Sequence, residues 1–578
     1  MVVDTQGQQV IFTNEAQCRD CYRCVRVCPV KAIKVEGNQA RVDADRCIVC
    51  GTCVRECPQG AKTYRKDIDL AESIIEKGGM LAASIAPAFA GVFEEWEYLR
   101  LTSALRRLGF KYVAETAIGA YMVARETAGV VRSNTGSHIC TACPALVNFV
   151  EKYDPKRIPL MVPVVSPMIA HAKHIKNQFG TETKVVFIGP CVAKKFEAQR
   201  QELKGIVDCV LTFEELEILL SRRGIDLRNC EESAFDELPC GRSRIFPVEG
   251  GSLATAEMDT NVIDERIIFV SGFDEIKTCM AANTNKGMGQ VIEPLLCSKG
   301  CVNGPGIKRP GNPFERRAKI IRYAKQFMSA AGKEPAKIDL KTNYCSIPVI
   351  AQGEVIEANV RAVLEKTGKA RIEQQLNCGA CGYSSCRDQA VAVVQGMAET
   401  SMCIPYMRRL AEQRSDRIMQ TSPNGIVVLD QDFKIVDLNA AFGTMFKTGP
   451  SALGRHISQF VDPDPFEKVA CRQVEIHDDQ REYPQYNLVV REVVYALRSE
   501  AQYVGMFINI TSTAYNAQQL QQVKDETVQQ AQELYAHQIE MAKNLANFLG
   551  QYTAKGEQIV HKLLDAVNDK DSFRNKKI

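Results

Sequence analysis

The chain has 578 residues, 45% of them hydrophobic, and a formal net charge of +3. That length asks for roughly three to five domains, and so small a charge gives no reason to expect nucleic acid or a membrane surface as partner. No apolar run approaches the ~18 residues of a membrane span. Met1 to Gln6 hold no basic stretch leading into an apolar one, so no signal peptide is read. The 23 cysteines then point to metal ligation in a reducing cytoplasm rather than to a disulfide framework.

Residues 1–66 carry Cys18-x2-Cys21-x2-Cys24-x3-Cys28-Pro29 and then Cys47-x2-Cys50-x2-Cys53-x3-Cys57-Pro58. Close spacing lets three thiolates wrap one cubane, while the fourth, before proline, reaches away. Zinc knuckles do not repeat this pattern. The doubled run resembles the bacterial two-cluster ferredoxin signature. The resemblance implies one [4Fe-4S] cluster on Cys18, Cys21, Cys24 and Cys57, and a second on Cys47, Cys50, Cys53 and Cys28.

Residues 67–335 alternate helical patterns such as Leu99–Leu105 with strand-like runs at Met80–Ile85, Ile158–Val162, Lys184–Ile188 and Ile267–Val270. That alternation predicts an α/β fold with largely parallel sheets, whose ligands sit at the carboxyl ends of strands. One such end is Gly189-Pro190-Cys191, where a turn presents the cysteine and a helix is expected to begin. Cys191, Lys194 and Glu197 then share one helix face. A buried cysteine beside a surface ion pair would read the same way.

Two further segments are Thr141-Ala142-Cys143-Pro144 and Glu293 to Gly304, which contains Cys297 and Cys301. With Pro190-Cys191-x2-Lys194-x2-Glu197 they resemble, in the same order, the three signature segments of the [FeFe]-hydrogenase catalytic domain. The resemblance implies an H-cluster: a [4Fe-4S] cubane on Cys143, Cys191, Cys297 and Cys301, with Cys301 bridging to a two-iron subsite that carries CO, cyanide and a dithiolate. It also implies that Ala86-Pro87 and Ser166-Pro167 line the pocket, and that Lys194 donates to a cyanide ligand. Glu197 would lie on the proton path or pair with Lys194, and Gly250-Gly251 would permit close backbone approach. Simple core packing is the alternative for each lining residue.

The chain departs from that pattern. Ala142 stands where fast members carry a proton-relaying cysteine, and Gly189 and Leu295 replace methionines, so the pocket is expected to be less filled. A positioned proton-transfer group contributes typically 10²–10⁴-fold, so slow turnover is expected, with Cys140, Cys240, Glu249 or water as detours. Cys209, Cys230, Cys279 and Cys345 fit no cluster spacing and are expected to be small buried hydrophobes.

Residues 336–406 hold Cys378-x2-Cys381-x4-Cys386-x16-Cys403, with a helix expected over Ala390–Met397. The pattern resembles a small domain binding one further [4Fe-4S] cluster, and a structural zinc is the alternative. Residues 407–512 open with two strands joined by an acidic turn, then Asn439-x2-Phe442 beginning a helix, and later strands near Tyr486–Val494 and Tyr503–Thr511. They resemble a PAS domain, which implies relay and pairing. In residues 513–578 Leu520, Thr527, Leu534, Met541 and Phe548 recur at sevens, with Gln530, His537 and Asn544 breaking the companion seam. A weak coiled coil or a single amphipathic helix fits that pattern.

The fold class read from the sequence is thus multidomain α/β and α+β: ferredoxin, hydrogenase domain, [4Fe-4S] domain, PAS domain and C-terminal helix. The order resembles the sensory, PAS-containing [FeFe]-hydrogenases. It implies H2 and protons as substrates, a redox partner such as ferredoxin, a separate signalling kinase or phosphatase, and a homodimer through PAS and helix. A metabolic hydrogenase and a non-catalytic iron–sulfur scaffold protein are the rival readings.

Overall fold

The computed structural model describes residues 9–133, 136–258, 266–282, 290–327, 332–347, 349, 355–511, 527–539 and 541. They fall into two compact units, 1–408 and 409–578, each described by itself. The expected heptad positions Leu520 and Phe548, and the frayed C-terminal end, lie outside the described residues.

The first unit begins with β1 (Ile11–Thr13), β2 (Ile33–Glu36), β3 (Gln39–Val42) and β4 (Lys62–Tyr64). β1 pairs antiparallel with β4, and β2 with β3. Pairing the first strand with the last folds the two cysteine runs into one body. Each run enters a short helix, Arg23–Val27 and Thr52–Arg55.

Next come β5 (Leu81–Ile85), β6 (Tyr112–Glu115), β7 (His138–Ile139), β8 (Lys184–Gly189), β9 (Cys209–Thr212), β10 (Ile267–Ser271) and β11 (Val291–Leu295). They form two parallel sheets, in the orders β6-β5-β8-β9 and β10-β11-β7. All of β5 and β9 is buried, because helices cover both faces of such sheets, and this is why the strands read as unbroken apolar runs. The helix Glu95–Leu108 contains the expected helical stretch. Glu94 and Glu97 cap its start reciprocally, and Gly109, at φ 111, ends it.

One expected strand is absent. Ile158–Leu160 belong to a 3-10 turn, Pro155–Leu160, and only Met161 bridges to Ile139. Pro155 and Pro159 lack the N–H groups a ladder needs.

The small domain packs the helices Glu357–Lys366 and Cys386–Val394 together. Ser385 caps the second helix by accepting from Asp388 N–H. The helix ends at Val394, short of the expected Met397, and Gly396 at φ 67 turns the chain. The helix Ile404–Thr421 starts one residue after Cys403.

The second unit holds β12 (Gly425–Leu429), β13 (Ile435–Leu438), β14 (Ile476–Tyr483), β15 (Leu488–Leu497) and β16 (Gln502–Asn509). They form one antiparallel sheet in the order β13-β12-β16-β15-β14. Asn439 caps the helix Ala440–Met445, its Oδ1 accepting from Phe442 and Ile426 N–H at 2.9 and 2.8 Å. That is the physical content of the Asn-x2-Phe signal. The edge strand β14 went unread in the sequence because Ile476-His477-Asp478-Asp479-Gln480-Arg481 is mostly exposed and polar.

Candidate metal centres

Four thiols meet beside the carboxyl ends of β8 and β11. Cys143 is the N-cap of the helix Pro144–Tyr153. Cys191 lies just past β8, and the N–H groups of Ala193 and Lys194 donate to its sulfur. Gly300, at φ 84, turns the chain between Cys297 and Cys301, and Cys301 N–H donates to the Pro247 carbonyl at 2.9 Å. Burial pushes the Cys297 thiol well up, and the neighbouring Cys191, Cys143 and Cys301 push it further. Burial likewise raises Cys191 to about 11. Desolvated thiols facing one another resist ionising together unless a cationic group neutralises them. The donor set therefore fits an iron–sulfur group.

The local geometry differs from the sequence expectation in one respect. The helix covers Ala193–Glu197, so Cys191 precedes it rather than opening it. Lys194 Nζ donates to Glu197 Oε2 at 2.8 Å and to the Ala142 carbonyl at 3.4 Å, and both charged side chains are buried. The adjacent Lys195 points elsewhere. It is fully buried and donates to Asp67, Glu215 and the Val210 carbonyl at 2.7–3.0 Å. Ala142 packs against an apolar cluster that includes Ala120, Ala124 and Phe246.

The wall residues are buried around these elements. Ala86 follows β5, its N–H donating to Ile188 at 2.8 Å, and Pro87 is also buried. Ser166 is the N-cap residue of the helix Pro167–Phe179, and its buried hydroxyl has no protein partner. Gly251 is pressed on the Ile245 carbonyl, so the close approach it permits is to the protein's own backbone; Gly250 adopts φ 77. At Gly189 the looser filling expected from the missing methionine is not found. A Cβ there would stand 2.7 Å from the Phe187 ring and 3.0 Å from Ala86 Cβ, because Phe187 occupies that space.

Sequence reasoning missed Glu293. It lies on β11, fully buried, and accepts from Leu253 and Ser252 N–H at 2.9 and 3.3 Å. Burial pushes its carboxyl up to about 7, with Glu249 adding to the shift. Its charge is felt at both Cys140 and Cys301. The available signal was an acidic residue inside an apolar strand run. Among the detour groups, Cys140 is buried, and Glu249 bonds Ser271, which accepts from Lys299 N–H at 2.9 Å. Cys240 instead donates to the Gly332 and Lys333 carbonyls at 3.1 and 3.0 Å.

Three other thiol sets assemble. Cys28, Cys47, Cys50 and Cys53 line one cavity. Cys24 feels Cys21, Cys18 and Cys57 as its charged neighbours. Cys378, Cys381, Cys386 and Cys403 line a third site, where Lys369 Nζ donates to Cys403 Sγ at 2.8 Å. Lys369 had no spacing signal to reveal it. Among the described residues no three His, Cys, Asp or Glu side chains converge on a point that a single ion would fill. Cys209 and Cys230 are buried as expected, but Cys345 is exposed, its N–H tied to Glu151 at 3.3 Å.

Comparison with known proteins agrees with this layout. Residues 80–305 match the family described as iron only hydrogenase large subunit, C-terminal domain. Residues 10–58 match a 4Fe-4S dicluster domain, 374–405 an Fe-S cluster family and 413–480 a PAS domain. The NADP-reducing hydrogenase subunit HndD of Solidesulfovibrio fructosivorans is 26% identical over 51% of this chain and 64% of its own. The periplasmic [Fe] hydrogenase large subunit of Nitratidesulfovibrio vulgaris is 26% identical over 36% of this chain and 62% of its own. The cytosolic Fe-S cluster assembly factor NAR1 of Kluyveromyces lactis is 27% identical over 34% and 45%. The chain thus spans less than two thirds of the length of each of these relatives. The chain is similar to [FeFe]-hydrogenases over residues 80–305, with ferredoxin, Fe-S and PAS domains beside that region.

Proposed function

We propose that this chain is a sensory [FeFe]-hydrogenase, which binds H2, oxidises it slowly and reversibly, and signals through its PAS domain to a separate partner in the cytoplasm. Its divisions are taken as 1–66, 67–335, 336–406, 407–512 and 513–578. Cys143, Cys191, Cys297 and Cys301 would hold the H-cluster, with Cys301 the ligand expected to serve its two-iron subsite as well, and the remaining three thiol sets would hold [4Fe-4S] clusters. When bound, the two-iron subsite supplies the open metal position and the amine base at which H2 is split.

The protein's own part is to fix, charge and dry that site. Lys194 is a buried cation held by Glu197 and the Ala142 carbonyl, and it offers its remaining N–H to an anionic ligand. This buried cation, with an N–H left to donate beside the four thiols, is the observation that carries the reading. The Ala142 methyl group passes no proton, which accounts for slow turnover. Glu293, its carboxyl raised to about 7 by burial, can hold a proton within the same wall.

Infrared spectra of the matured protein under H2 and under argon test this. CO and cyanide bands that shift between the gases are expected, together with slow turnover. Full iron–sulfur loading without such bands would instead support the second reading, an iron–sulfur scaffold, which the likeness to the NAR1 assembly factor favours.

A further inference from the structure

The two cysteine runs of the ferredoxin domain invite a residue-by-residue comparison. After Cys28-Pro29-Val30 comes Lys31, and after Cys57-Pro58-Gln59 comes Gly60. Both positions adopt left-handed backbone, at φ 51 and φ 64. Glycine takes that conformation freely, whereas a side chain makes it costly. The second run uses the residue that the turn prefers. The first carries a lysine there, and its ammonium is engaged. Lys31 Nζ donates to the Val25 and Arg26 carbonyls at 3.0 and 3.3 Å, which alone would be a helix C-terminal cap. It also donates to the Gly382 carbonyl at 2.8 Å, and that bond crosses into the small domain.

The same junction is close in other ways. A Cβ on Gly382, at φ 95, would stand 2.8 Å from Val25 Cγ1. Arg26 donates to the Ala380 carbonyl at 3.0 Å. Val35 N–H donates to Met397 at 3.0 Å, and Glu399 accepts from Gly37 N–H at 2.7 Å. Tyr383 belongs to the same apolar cluster as Cys28, Val49 and Cys53. On its other side, the Cys47–Cys53 loop meets the candidate active site by the same device. A Cβ on Gly51, at φ 73, would stand 2.8 Å from Val192, the neighbour of Cys191. Asn148 and Lys152, on the Cys143 helix, donate to the Ile48 and Cys47 carbonyls at 3.2 and 2.9 Å.

We propose that the Cys28, Cys47, Cys50 and Cys53 set is a junction shared by the candidate active site and the small domain, and that Lys31 is the positioning residue that locks the small domain's thiols to it. Charge neighbours agree: Cys50 feels Cys143, and Lys31 feels both Cys28 and Cys381. The redox state of the small domain, from which the helix Ile404–Thr421 departs, is thereby tied to the inner ferredoxin set. The proposal deepens the sensor reading and rests on it for its purpose. Its test uses chemically reduced clusters and no H2, so the two fail separately.

The experiment is electron paramagnetic resonance of the full-length, cluster-loaded, reduced chain. Magnetic coupling between two clusters is expected, and Cys378→Ala should remove it by changing the signal of the Cys28 set while leaving that of the Cys18 set. Lys31→Gly copies the second run and relieves the backbone, so the domain keeps its fold. It should lose the coupling, shift the small-domain midpoint potential and speed hydrogen exchange over 378–383. Gly382→Val should also lose the coupling. If Lys31→Gly leaves the coupling and potential unchanged, or if Cys378→Ala alters the Cys18 set instead, the proposal is overturned.

Discussion

The thiols of the small domain and those of the candidate active site are assembled in opposite ways. Cys378, Cys381, Cys386 and Cys403 come from one short segment, closed by a single helix. Cys143, Cys191, Cys297 and Cys301 come from three segments, and β8 and β11 of two separate sheets bring them together. A local ring depends on spacing and a dispersed one on the whole domain. Damage should therefore stay local in the first and spread in the second.

Removing one thiol from each set should have the largest effect. Cys301→Ala should abolish the infrared bands and H2 turnover with ferredoxin clusters retained. Cys378→Ser should remove one cluster, keep turnover and abolish hydrogen-dependent signalling; iron content, infrared spectra and H2 uptake read both. Persisting signalling in the second variant would sink the relay.

Ala142→Cys should restore a proton carrier and raise turnover roughly 10²-fold. A wild type that is already fast would weaken the sensor reading. The two neighbouring lysines sharpen the contrast between site and scaffold. Lys195→Met strands Asp67 and Glu215 in the interior and should cost about 3–5 kcal/mol in thermal or denaturant unfolding. A loss near zero would mean that these carboxylates find other partners.

In the second unit Glu492, buried with one oxygen unpartnered, provides a pH probe. Burial raises its carboxyl to about 7, opposed by Arg481 at 3.7 Å and by the Tyr483 hydroxyl at 3.2 Å, while Asp462 and Asp464 add to the rise. A raised carboxyl contributes stability that is present in full below about 4.5, its ordinary value, and is lost as pH climbs through about 7. With the intrinsic base-catalysed rate divided out, the opening energy of β15 and β16 in the full chain should fall by about 2 kcal/mol from pH 5.5 to 8, and Glu492→Gln should flatten the change. The smallest effect concerns packing. Gly189→Met should destabilise the catalytic domain by about 1–3 kcal/mol through its clash with Phe187, and the added Phe187→Ala should recover part of that loss.

Much of the site was legible because its chemistry is written in short spacings. The cysteine runs, Lys194 with Glu197, and Asn439 with Phe442 all act within a few residues of themselves. Other features carried no such mark. The Ile158–Val162 run has strand-like side chains, but its prolines cannot join a ladder. β14 is polar because it lies at a sheet edge. Phe187 reads as one more strand residue until its ring is found over Gly189.

The order of the segments, the three close-spaced cysteine runs and the alanine at position 142 are legible in the sequence, since each is a matter of residue type and local spacing. The folded chain alone reveals that Glu293 is buried on the Ser252 and Leu253 N–H groups, that Lys369 bonds Cys403, that Lys195 bonds Asp67 and Glu215 while Lys194 bonds the Ala142 carbonyl, and that Lys31 reaches Gly382. Those are contacts between segments far apart in the chain. They exist only once the parallel sheets and the paired ferredoxin strands have closed, and no periodicity or motif within either segment records them.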